Sequence, residues 1–565
     1  MDSLSRLRVL ARRFLLLTLI LVGAACGVLA VLFHRYVEFA RGLLIGRALE
    51  THGALRIALV LGIPPLTFAA LALIIRRFAP GAVGANLARV RMAYDSDPSL
   101  LGKRVIAATF LATPLSLGAG APLGPEGPIV VVTSGVAAAI ARWLKLPHKL
   151  VRGMIPVGVA AGIAAVFNTP ITAVVFAIEE VFGVADRGLL GGVLVGAVAA
   201  AAVEKALLGG KPLLAASSST WTNWHELVGF AVVGLLCGSI SGLAIQGIHR
   251  LRRWWANAMP SALARVSVAG LIIGAIGLAV PSTLGVGYDN VSFWLHGGDN
   301  GATTSIAFVA KVIAFTIAIS AGVLGGTFAP SLFLGAALGA SIGHTARSLF
   351  PTAAIDPKAY ALVGMGAFFA GLLRSPIAAV LIAVELTSDY DLIVPLMLAV
   401  SLSVAVSRAI SPRSMVEQQM VDEGWIEGHD DADPLAAVSV GDAMTASPIT
   451  FPIDAAASDA LTSSRHRFYP IVDEDARLLG VVSRSALERS DATQPIGVLL
   501  EQPALVAEAN EPVIEVVRRM QLRNVDRCVV VDEGKRVIGF LSPADILRVR
   551  LVRMKRDEET FELFA

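Results

Sequence analysis

Long apolar runs separated by short polar breaks fill the first three quarters of the chain. Several of them approach the ~20 residues that a helix needs to cross the hydrocarbon core of a bilayer. These runs are residues 14–33, 57–75, 189–207, 227–248, 266–280, 306–323 and 392–410. Two shorter runs, 171–178 and 377–384, are long enough only for half-helices or tilted segments. The pattern predicts a polytopic α-helical membrane domain.

Positive charges around the first two runs predict the orientation. Arginines precede the first run at positions 6, 8, 12 and 13, and Arg76-Arg77 follows the second. Because cytoplasmic flanks carry an excess of Lys and Arg, we expect a cytoplasmic N-terminus and an inner-membrane location. The first run is too long for a signal peptide and further spans follow it.

Composition narrows the class of protein. Hydrophobic residues make up 55% of the chain and charged residues 16%, which is unusual for a purely soluble protein. The net charge of +3 gives no sign of nucleic-acid binding. Cys26, Cys237 and Cys528 are isolated, so they predict neither a metal site nor a disulfide framework. No nucleophile–base or metal constellation accompanies the membrane part, and we expect no enzyme activity and no metal.

The motif Gly124-Pro125-Glu126-Gly127-Pro128 places a carboxylate directly before the apolar residues 129–132. Gly and Pro interrupt the backbone where a helix then starts, and a helix start attracts anions through its unpaired N–H groups. A glutamate there can take the place of an anion and leave it when protonated. A solvated surface turn is the alternative interpretation.

The membrane part contains a weak internal repeat. Residues 157–179 align with 363–385 at an offset of 206, since 376 − 170 = 206 for the prolines and 385 − 179 = 206 for the glutamates. A second Gly/Pro-rich break, Gly325-Gly326-Thr327-Phe328-Ala329-Pro330, precedes the second copy as Gly124–Pro128 precedes the first. Such paired breaks predict inverted repeats, roughly 14–207 and 225–412, with a binding site between them. The alternative is an ordinary bundle with Gly-rich packing.

The repeat distinguishes two adjacent acids. Glu179 has a counterpart in Glu385, which favours a structural role such as capping or pairing. Glu180 aligns with Leu386 instead, so it is a candidate proton relay. Lys311, inside another apolar run, is interpreted as snorkelling or structurally paired.

These motifs resemble those of the CLC family of chloride channels and proton-coupled anion exchangers. The resemblance covers roughly residues 10–415. It rests on three elements in order: Gly124-Pro125-Glu126-Gly127-Pro128, Phe167-Asn168-Thr169-Pro170 with Glu179-Glu180, and Gly326-Thr327-Phe328-Ala329-Pro330. It implies a CLC-like fold of broken helices and a homodimer with one pore per subunit.

The resemblance also implies roles for individual residues. Glu126 would be the external gating glutamate, and Glu180 the internal proton-accepting glutamate that is typical of exchangers. Phe328 and Ala329 would offer backbone N–H groups to the central anion, with Gly124 and Gly127 beside it.

Two departures from the family pattern concern the inner anion site. Where the family has Gly-Ser-Gly-Ile-Pro, this chain reads Gly84-Ala85-Asn86-Leu87-Ala88, so Ala85 replaces the serine and Asn86 is the residue that could compensate. The family's central tyrosine should fall near the end of the last membrane helix, and this chain has Ser411-Pro412-Arg413-Ser414-Met415-Val416 there. With both side-chain donors lost, we expect weak anion affinity and broad selectivity.

The last quarter of the chain has a different pattern. An acidic cytoplasmic linker is predicted at 413–439. Two β-α-β-β units follow at 440–490 and 495–552, then a charged tail at 553–565. This α/β tandem resembles a pair of CBS domains, in which a Gly-hydrophobic-hydrophobic-Ser/Thr-x-x-Asp signature can hold an adenosine ribose. Ser542 and Asp545 complete that signature in the second copy, whereas Ala486 removes the acid from the first. An adenine-nucleotide site and a purely structural contact both stay open.

The sequence as a whole predicts a proton-coupled anion antiporter, with chloride as the expected anion and protons as the coupled ion. The alternatives are a passive voltage- or pH-gated channel of the same fold, or an exchanger for fluoride or nitrate. No cofactor is expected for transport itself, and the bilayer is the expected environment.

Overall fold

The computed structural model divides into two compact units, Met1–Trp425 and Ile426–Leu563. The structure describes residues 3–82, 84, 86–182, 187–209, 214, 221, 224–298, 301–353, 355–387, 390–423, 435, 438–463, 466–500, 505–522, 525, 527–532 and 534–549. The predicted tail at 553–565 lies outside the described residues, and so do residues 424–434, 436 and 437 of the predicted linker.

The first unit is all α-helical in its described residues. Its α-helices are α1 Ser3–Arg41, α2 Arg47–Glu50, α3 Gly53–Phe78, α4 Leu87–Asp95, α5 Lys103–Gly118, α6 Glu126–Trp143, α7 His148–Phe167, α8 Pro170–Ala177, α9 Arg187–Leu208, α10 Glu226–Ala258, α11 Ala262–Ala279, α12 Tyr288–Leu295, α13 Gly301–Ala321, α14 Phe328–Leu349, α15 Pro357–Leu373, α16 Pro376–Thr387, α17 Ile393–Ile410 and α18 Met415–Asp422. π-Helical turns follow α1 at Gly42–Gly46 and α8 at Ile178–Phe182.

Within the described residues, 8 helices are long and apolar enough to cross a membrane. Every long apolar run of the sequence overlaps one of them, so the prediction of a polytopic helical membrane domain is confirmed. The span His148–Phe167 is not predicted by the apolar runs, because charged residues begin it and Pro156 interrupts its apolar pattern. Most of this helix is buried inside the protein.

The two short runs form half-length helices, as predicted. Both α8 and α16 begin at a proline, whose missing N–H costs nothing at a helix start. The helices before them end in the same way, with a left-handed residue at the C-cap: Asn168 (φ 54°) after α7 and Arg374 (φ 68°) after α15. The offset is again 206 (374 − 168), so the sequence repeat corresponds to a repeated backbone conformation.

The glutamates that recur in the repeat cap these short helices reciprocally. Glu179 accepts the N–H groups of Ile377 (3.0 Å) and Ala378 (2.9 Å) at the start of α16. Glu385 accepts those of Ile171 (3.1 Å) and Thr172 (2.6 Å) at the start of α8. Carboxylates satisfy the unpaired donors of a helix N-terminus. The structural role predicted for Glu179 is therefore confirmed.

The boundary predicted at residue 412 is wrong, because α18 belongs to the first unit. Met415, Val416 and Met420 are buried in its core. Ser414 and Glu417 form a capping box that starts α18. These residues were predicted to belong to an acidic linker because charged residues dominate the segment.

The second unit contains two small sheets. Its helices are α19 Val440–Ala443, α20 Ala457–Ser463, α21 Arg484–Arg489 and α22 Val513–Leu522; its strands are β1 Thr445–Ala446, β2 Phe451–Pro452, β3 Phe468–Val472, β4 Leu478–Ser483, β5 Val506–Glu508, β6 Cys528–Val531 and β7 Val537–Leu541. The strand orders are β2-β3-β4 and β1-β7-β6-β5. In each sheet a parallel pair precedes an antiparallel pair, which reproduces the predicted β-α-β-β repeat. A helix over residues 543–549 follows β7.

Candidate functional site

The two Gly/Pro-rich breaks meet each other in the first unit. Gly124 N–H donates to the carbonyl of Gly326 at 2.9 Å, and Gly326 N–H donates to the carbonyl of Gly124 at 2.7 Å. This bridge brings together the N-termini of α6 and α14, which begin two residues further on, at Glu126 and Phe328. Helix N-termini present unpaired N–H groups and partial positive charge. The junction is therefore favourable for an anion.

Glycine is needed where these segments cross. A Cβ on Gly124 would collide with Oε2 of Glu126, and a Cβ on Gly326 would lie 2.8 Å from the backbone nitrogen of Gly127. Gly325 has φ +154°, a conformation that other residues rarely adopt. The glycines of both motifs thus allow two backbones and one carboxylate to share a narrow space.

Glu126 occupies this junction with its own carboxylate. The side chain is 1% exposed, and its Oε2 accepts the N–H of Ala329 at 3.2 Å, in the first turn of α14. Its Oε1 accepts a hydrogen bond from the hydroxyl of Tyr288. A charged group at this position uses the same N–H group that a bound anion would use.

Tyr288 is a site residue that the sequence analysis missed. It begins α12, after Gly287 with φ 92°. It lies 162 residues from Glu126, so no local pattern links the two. The only signal was the turn sequence Gly285-Val286-Gly287 before an aromatic residue with a polar end.

Lys311 supports the turn that presents Tyr288. Its Nζ donates to the carbonyls of Thr283 (3.0 Å) and Gly285 (2.6 Å) and lies 4.7 Å from the centre of the Phe333 ring. The side chain is fully buried. The snorkelling interpretation is therefore wrong, and the alternative of structural pairing is confirmed.

Aromatic rings surround Phe328. Its ring centre lies 5.0 Å from that of Phe167, 5.6 Å from Phe176 and 4.5 Å from Phe369. These neighbours come from α7, α8 and α15, so helices of both repeats hold the first residue of α14 in place. The packing fixes the direction of the α14 N-terminus.

A narrow cavity adjoins this junction. The centre of a water molecule can occupy a volume of about 20 Å³ in this cavity, so the cavity has room for about one water or small ion. Its walls carry few polar side chains, and these come from segments far apart in sequence. The lining includes Asn86, Glu126, Gly127, Phe328, Val416 and Gln419.

The structure describes only one of the two residues that were predicted for the inner anion site. Ala85 lies outside the described residues. Asn86 lines the cavity, and its Oδ1 accepts the N–H of Ala88 at 3.0 Å to cap α4. The cap uses only the oxygen of the amide, and among the described residues the Nδ2 group of Asn86 has no acceptor.

Glu180 occupies a separate buried position. It lies in the π-helical turn Ile178–Phe182, is 3% exposed, and accepts a hydrogen bond from the hydroxyl of Ser375. Ser375 directly precedes α16 and is fully buried. Phe176, four residues before Glu180, lines the cavity beside Glu126. Glu126 and Glu180 are thus both buried carboxylates that accept a hydrogen bond from a hydroxyl group.

In the second unit, Ser542 and Asp545 bond to each other and to their own chain. Asp545 Oδ2 accepts the N–H (3.0 Å) and the hydroxyl (2.6 Å) of Ser542. Its Oδ1 accepts from Thr445 Oγ1 (2.9 Å) and Arg548 Nη2 (3.0 Å). Since the carboxylate is 6% exposed and both oxygens are occupied, these residues as they stand do not fit a ribose.

Known proteins share the features of both units. The family described as "Voltage gated chloride channel" matches residues 66–408, and the CBS domain family matches residues 440–491 and 498–552. A "Putative chloride channel protein ClcB-like" of Ralstonia nicotianae is 35% identical over 289 residues, which cover 50% of this chain and 67% of that protein. The "H(+)/Cl(-) exchange transporter ClcA" of Citrobacter koseri is 26% identical over 395 residues, covering 68% of this chain and 83% of that protein.

A solved structure has the same fold. The crystal structure of a slow cyanobacterial Cl⁻/H⁺ antiporter superimposes with a TM-score of 0.67 and 24% sequence identity, covering 73% of this chain and 98% of that one. The broken helices, the bridge between Gly124 and Gly326 and the match over residues 66–408 agree with one another. The chain belongs to the voltage gated chloride channel family, the CLC family, and carries two CBS domains after its membrane unit.

Proposed function

We propose that this protein exchanges chloride for protons across the membrane. The observation that carries the proposal is the Glu126 carboxylate on the N–H of Ala329, at the start of α14. There the carboxylate and a chloride ion compete for one position. The similarity to the H(+)/Cl(-) exchange transporter ClcA of Citrobacter koseri supports the same assignment.

In this mechanism the protonation of Glu126 controls its position. The charged carboxylate is attracted to the helix N-terminus and blocks the anion. Protonation removes that attraction, so the side chain leaves and an anion takes its place. Glu180, buried beside Ser375, holds the proton on the other part of its route. Each cycle then couples the movement of an anion to the movement of a proton in the opposite direction.

A passive channel of the same fold is the second candidate. The absence of the family's serine and tyrosine in this sequence favours a leaking anion path, as does a site with few donors. Glu180 favours the exchanger, because a channel has no use for a second buried proton-accepting carboxylate. An exchanger selective for fluoride or nitrate would retain both glutamates.

The membrane arrangement is also part of the proposal. The arginines before the first span and the positive-inside rule support a cytoplasmic N-terminus in an inner membrane. Large apolar side chains are exposed on α8, α9 and α16, and they support a homodimer with one pore in each subunit. These side chains include Ile171, Leu194, Val198 and Ile377.

Flux from proteoliposomes separates these functions. With a chloride gradient and a pH-sensitive dye inside the vesicles, we expect proton uptake driven by chloride leaving. The same assay with fluoride and nitrate ranks the anions. Chloride flux without any movement of protons would instead identify the passive channel, and no flux of any of the three anions would contradict both functions.

Tyr288 gives a testable consequence of the competition. Replacing it with phenylalanine keeps the ring, which packs 6.3 Å from Phe167, but removes the hydroxyl donor to Glu126. A hydrogen bond to a charged group is worth about 1.5–3 kcal/mol. We therefore expect Tyr288→Phe to strengthen chloride binding about 10-fold in calorimetry, because the competing carboxylate is held less firmly.

The matched control is Tyr360→Phe, a buried tyrosine that lines a different cavity. It should leave chloride affinity unchanged. An unchanged affinity in Tyr288→Phe as well would show that the hydroxyl does not hold Glu126 in place.

For the CBS pair, we infer a structural role for Asp545. Its bonds to Thr445, Ser542 and Arg548 join β1, the end of β7 and the following helix. An adenine nucleotide could bind its ribose there only by displacing these partners. These hydrogen bonds support the inference that the residues of the nucleotide-binding signature stabilise the second unit.

The prediction for this module concerns stability. Asp545→Ala leaves the donors of Ser542 and Thr445 without their acceptor, so we expect the free energy of unfolding of the second unit to fall by about 2–3 kcal/mol. Thermal unfolding of the full-length protein measures this change. ATP, ADP and AMP at millimolar concentration should not shift the transition of the unaltered protein. Saturable nucleotide binding that Asp545→Ala abolishes would establish the ribose site instead.

A further inference from the structure

We propose that the side-chain amide of Gln419 is a ligand of the transported anion and a determinant of its selectivity. Gln419 lies on α18 and lines the cavity that also contains Glu126 and Phe328. The proposal rests on the proposed function, because it adds a donor to the same anion path. It also gives a role to a segment that the sequence pattern assigned to a linker.

The state of the Gln419 side chain is the first observation. Gln419 is 5% exposed, and within the described part of the chain its amide makes no hydrogen bond. Its amide atoms are not among the fully buried side-chain atoms of the described residues that lack a partner, so the amide is not sealed in an apolar core. A polar side chain kept in this state at the wall of a cavity indicates that the cavity's occupant is its partner.

The position of Gln419 on α18 is the second observation. Val416 and Gln419 are three residues apart and both line the cavity, so one face of the helix points toward it. The capping box of Ser414 and Glu417 fixes the start of α18, with the hydroxyl of Ser414 accepting the N–H of Glu417 at 3.2 Å. The segment that lacks the family's tyrosine thus supplies a different polar group one turn later.

The neighbouring glutamine shows that the environment of Gln419 is specific. Gln418 Nε2 lies 3.1 Å from Nδ1 of His249 and donates to Oδ1 of Asp422 at 3.1 Å. Its amide is therefore committed to contacts that hold α18 to α10. Two adjacent residues with the same side chain accordingly have different surroundings, which provides a matched control.

The chemistry of the amide suits a small monovalent anion. The NH2 group of Gln419 offers donors without a fixed positive charge, and Asn86, whose side chain also ends in an amide, lines the same cavity. Neutral donors stabilise an anion without trapping it, as a transport path requires. Together the two amides replace the absent serine and tyrosine hydroxyl groups as hydrogen-bond donors to the anion.

The experiment compares variants of the full-length protein in detergent and in proteoliposomes. Gln419→Met keeps the length of the side chain and removes its donors, so we expect chloride affinity measured by calorimetry to fall about 10-fold. Gln419→Glu places a negative charge in the cavity and should abolish measurable chloride binding. Gln418→Met should leave chloride affinity unchanged, although its lost contacts should lower the thermal stability.

The transport assay separates this proposal from the proposed function. Suppose that the unaltered protein exchanges chloride for protons and that Gln419→Met binds chloride as tightly as the unaltered protein. The amide of Gln419 would then bind only water, and this proposal would be overturned. If the unaltered protein neither binds nor transports chloride, the proposed function itself fails. Should Gln419→Met not fold, Gln419→Asn decides the question, because it withdraws the amide by one methylene group and should weaken chloride binding by several-fold.

Discussion

Glu126→Gln should transport chloride without moving protons. Glutamine has the shape of the protonated acid, so it loses the charge that draws Glu126 to the N-terminus of α14 but cannot carry a proton. We expect chloride flux to continue and proton flux to fall to the background of empty vesicles, a loss on the order of 10²-fold or more. A chloride electrode and a pH-sensitive dye measure the two fluxes in the same preparation.

Another buried glutamate of the first unit provides the control. Glu226, at the start of α10, is 7% exposed and lines a cavity without Glu126. Glu226→Gln should keep both fluxes and their ratio. If Glu126→Gln still moved protons against their gradient, the carboxylate would not be the proton carrier and the mechanism would need another group.

Glu180→Val should abolish proton flux while leaving chloride flux measurable. Glu180 does not line the described cavity beside Glu126, so its loss removes a proton acceptor without altering the anion site. Its only described hydrogen-bond donor is the hydroxyl of Ser375. We expect a fall in proton flux on the order of 10²-fold or more, with chloride binding by calorimetry unchanged.

Glu179→Gln is the matched comparison, because it alters the adjacent acid. Its carboxylate accepts the N–H groups of Ile377 and Ala378, and losing a cap of this kind costs about 0.5–2 kcal/mol. We expect a lower unfolding temperature and less protein in the membrane, with coupling of the remaining protein intact. Loss of coupling in Glu179→Gln and its retention in Glu180→Val would exchange the roles of the two residues.

The sequence predicted most of the fold because its main signals are local. Apolar runs of membrane length, prolines at the starts of α8 and α16, and the recurrence of Glu179 as Glu385 can each be recognised within a few residues. The two β-α-β-β repeats of the second unit were predicted for the same reason, whereas the short strand β1 was not. Each signal depends on the backbone periodicity of one segment.

The parts that were missed depend on contacts between distant segments. Tyr288 reaches Glu126 across 162 residues, and Gln419 approaches the cavity only because α18 folds back into the core. In the sequence, acidic residues surround Met415 and Met420, so the few apolar residues by which this helix is buried give no clear helical pattern. Local composition shows which kind of structure a segment resembles. The position of a short helix in the fold depends instead on its packing against distant segments.

The reciprocal caps of α8 and α16 have a consequence for how the membrane unit is made. Glu385 caps α8 from a position more than 200 residues later, since Thr172 and Glu385 are 213 residues apart. During synthesis the start of α8 therefore lacks its carboxylate until the second repeat has been translated and inserted. Neither half of the unit contains both members of a cap, so halves expressed separately should be unstable alone and should recover when they are produced together.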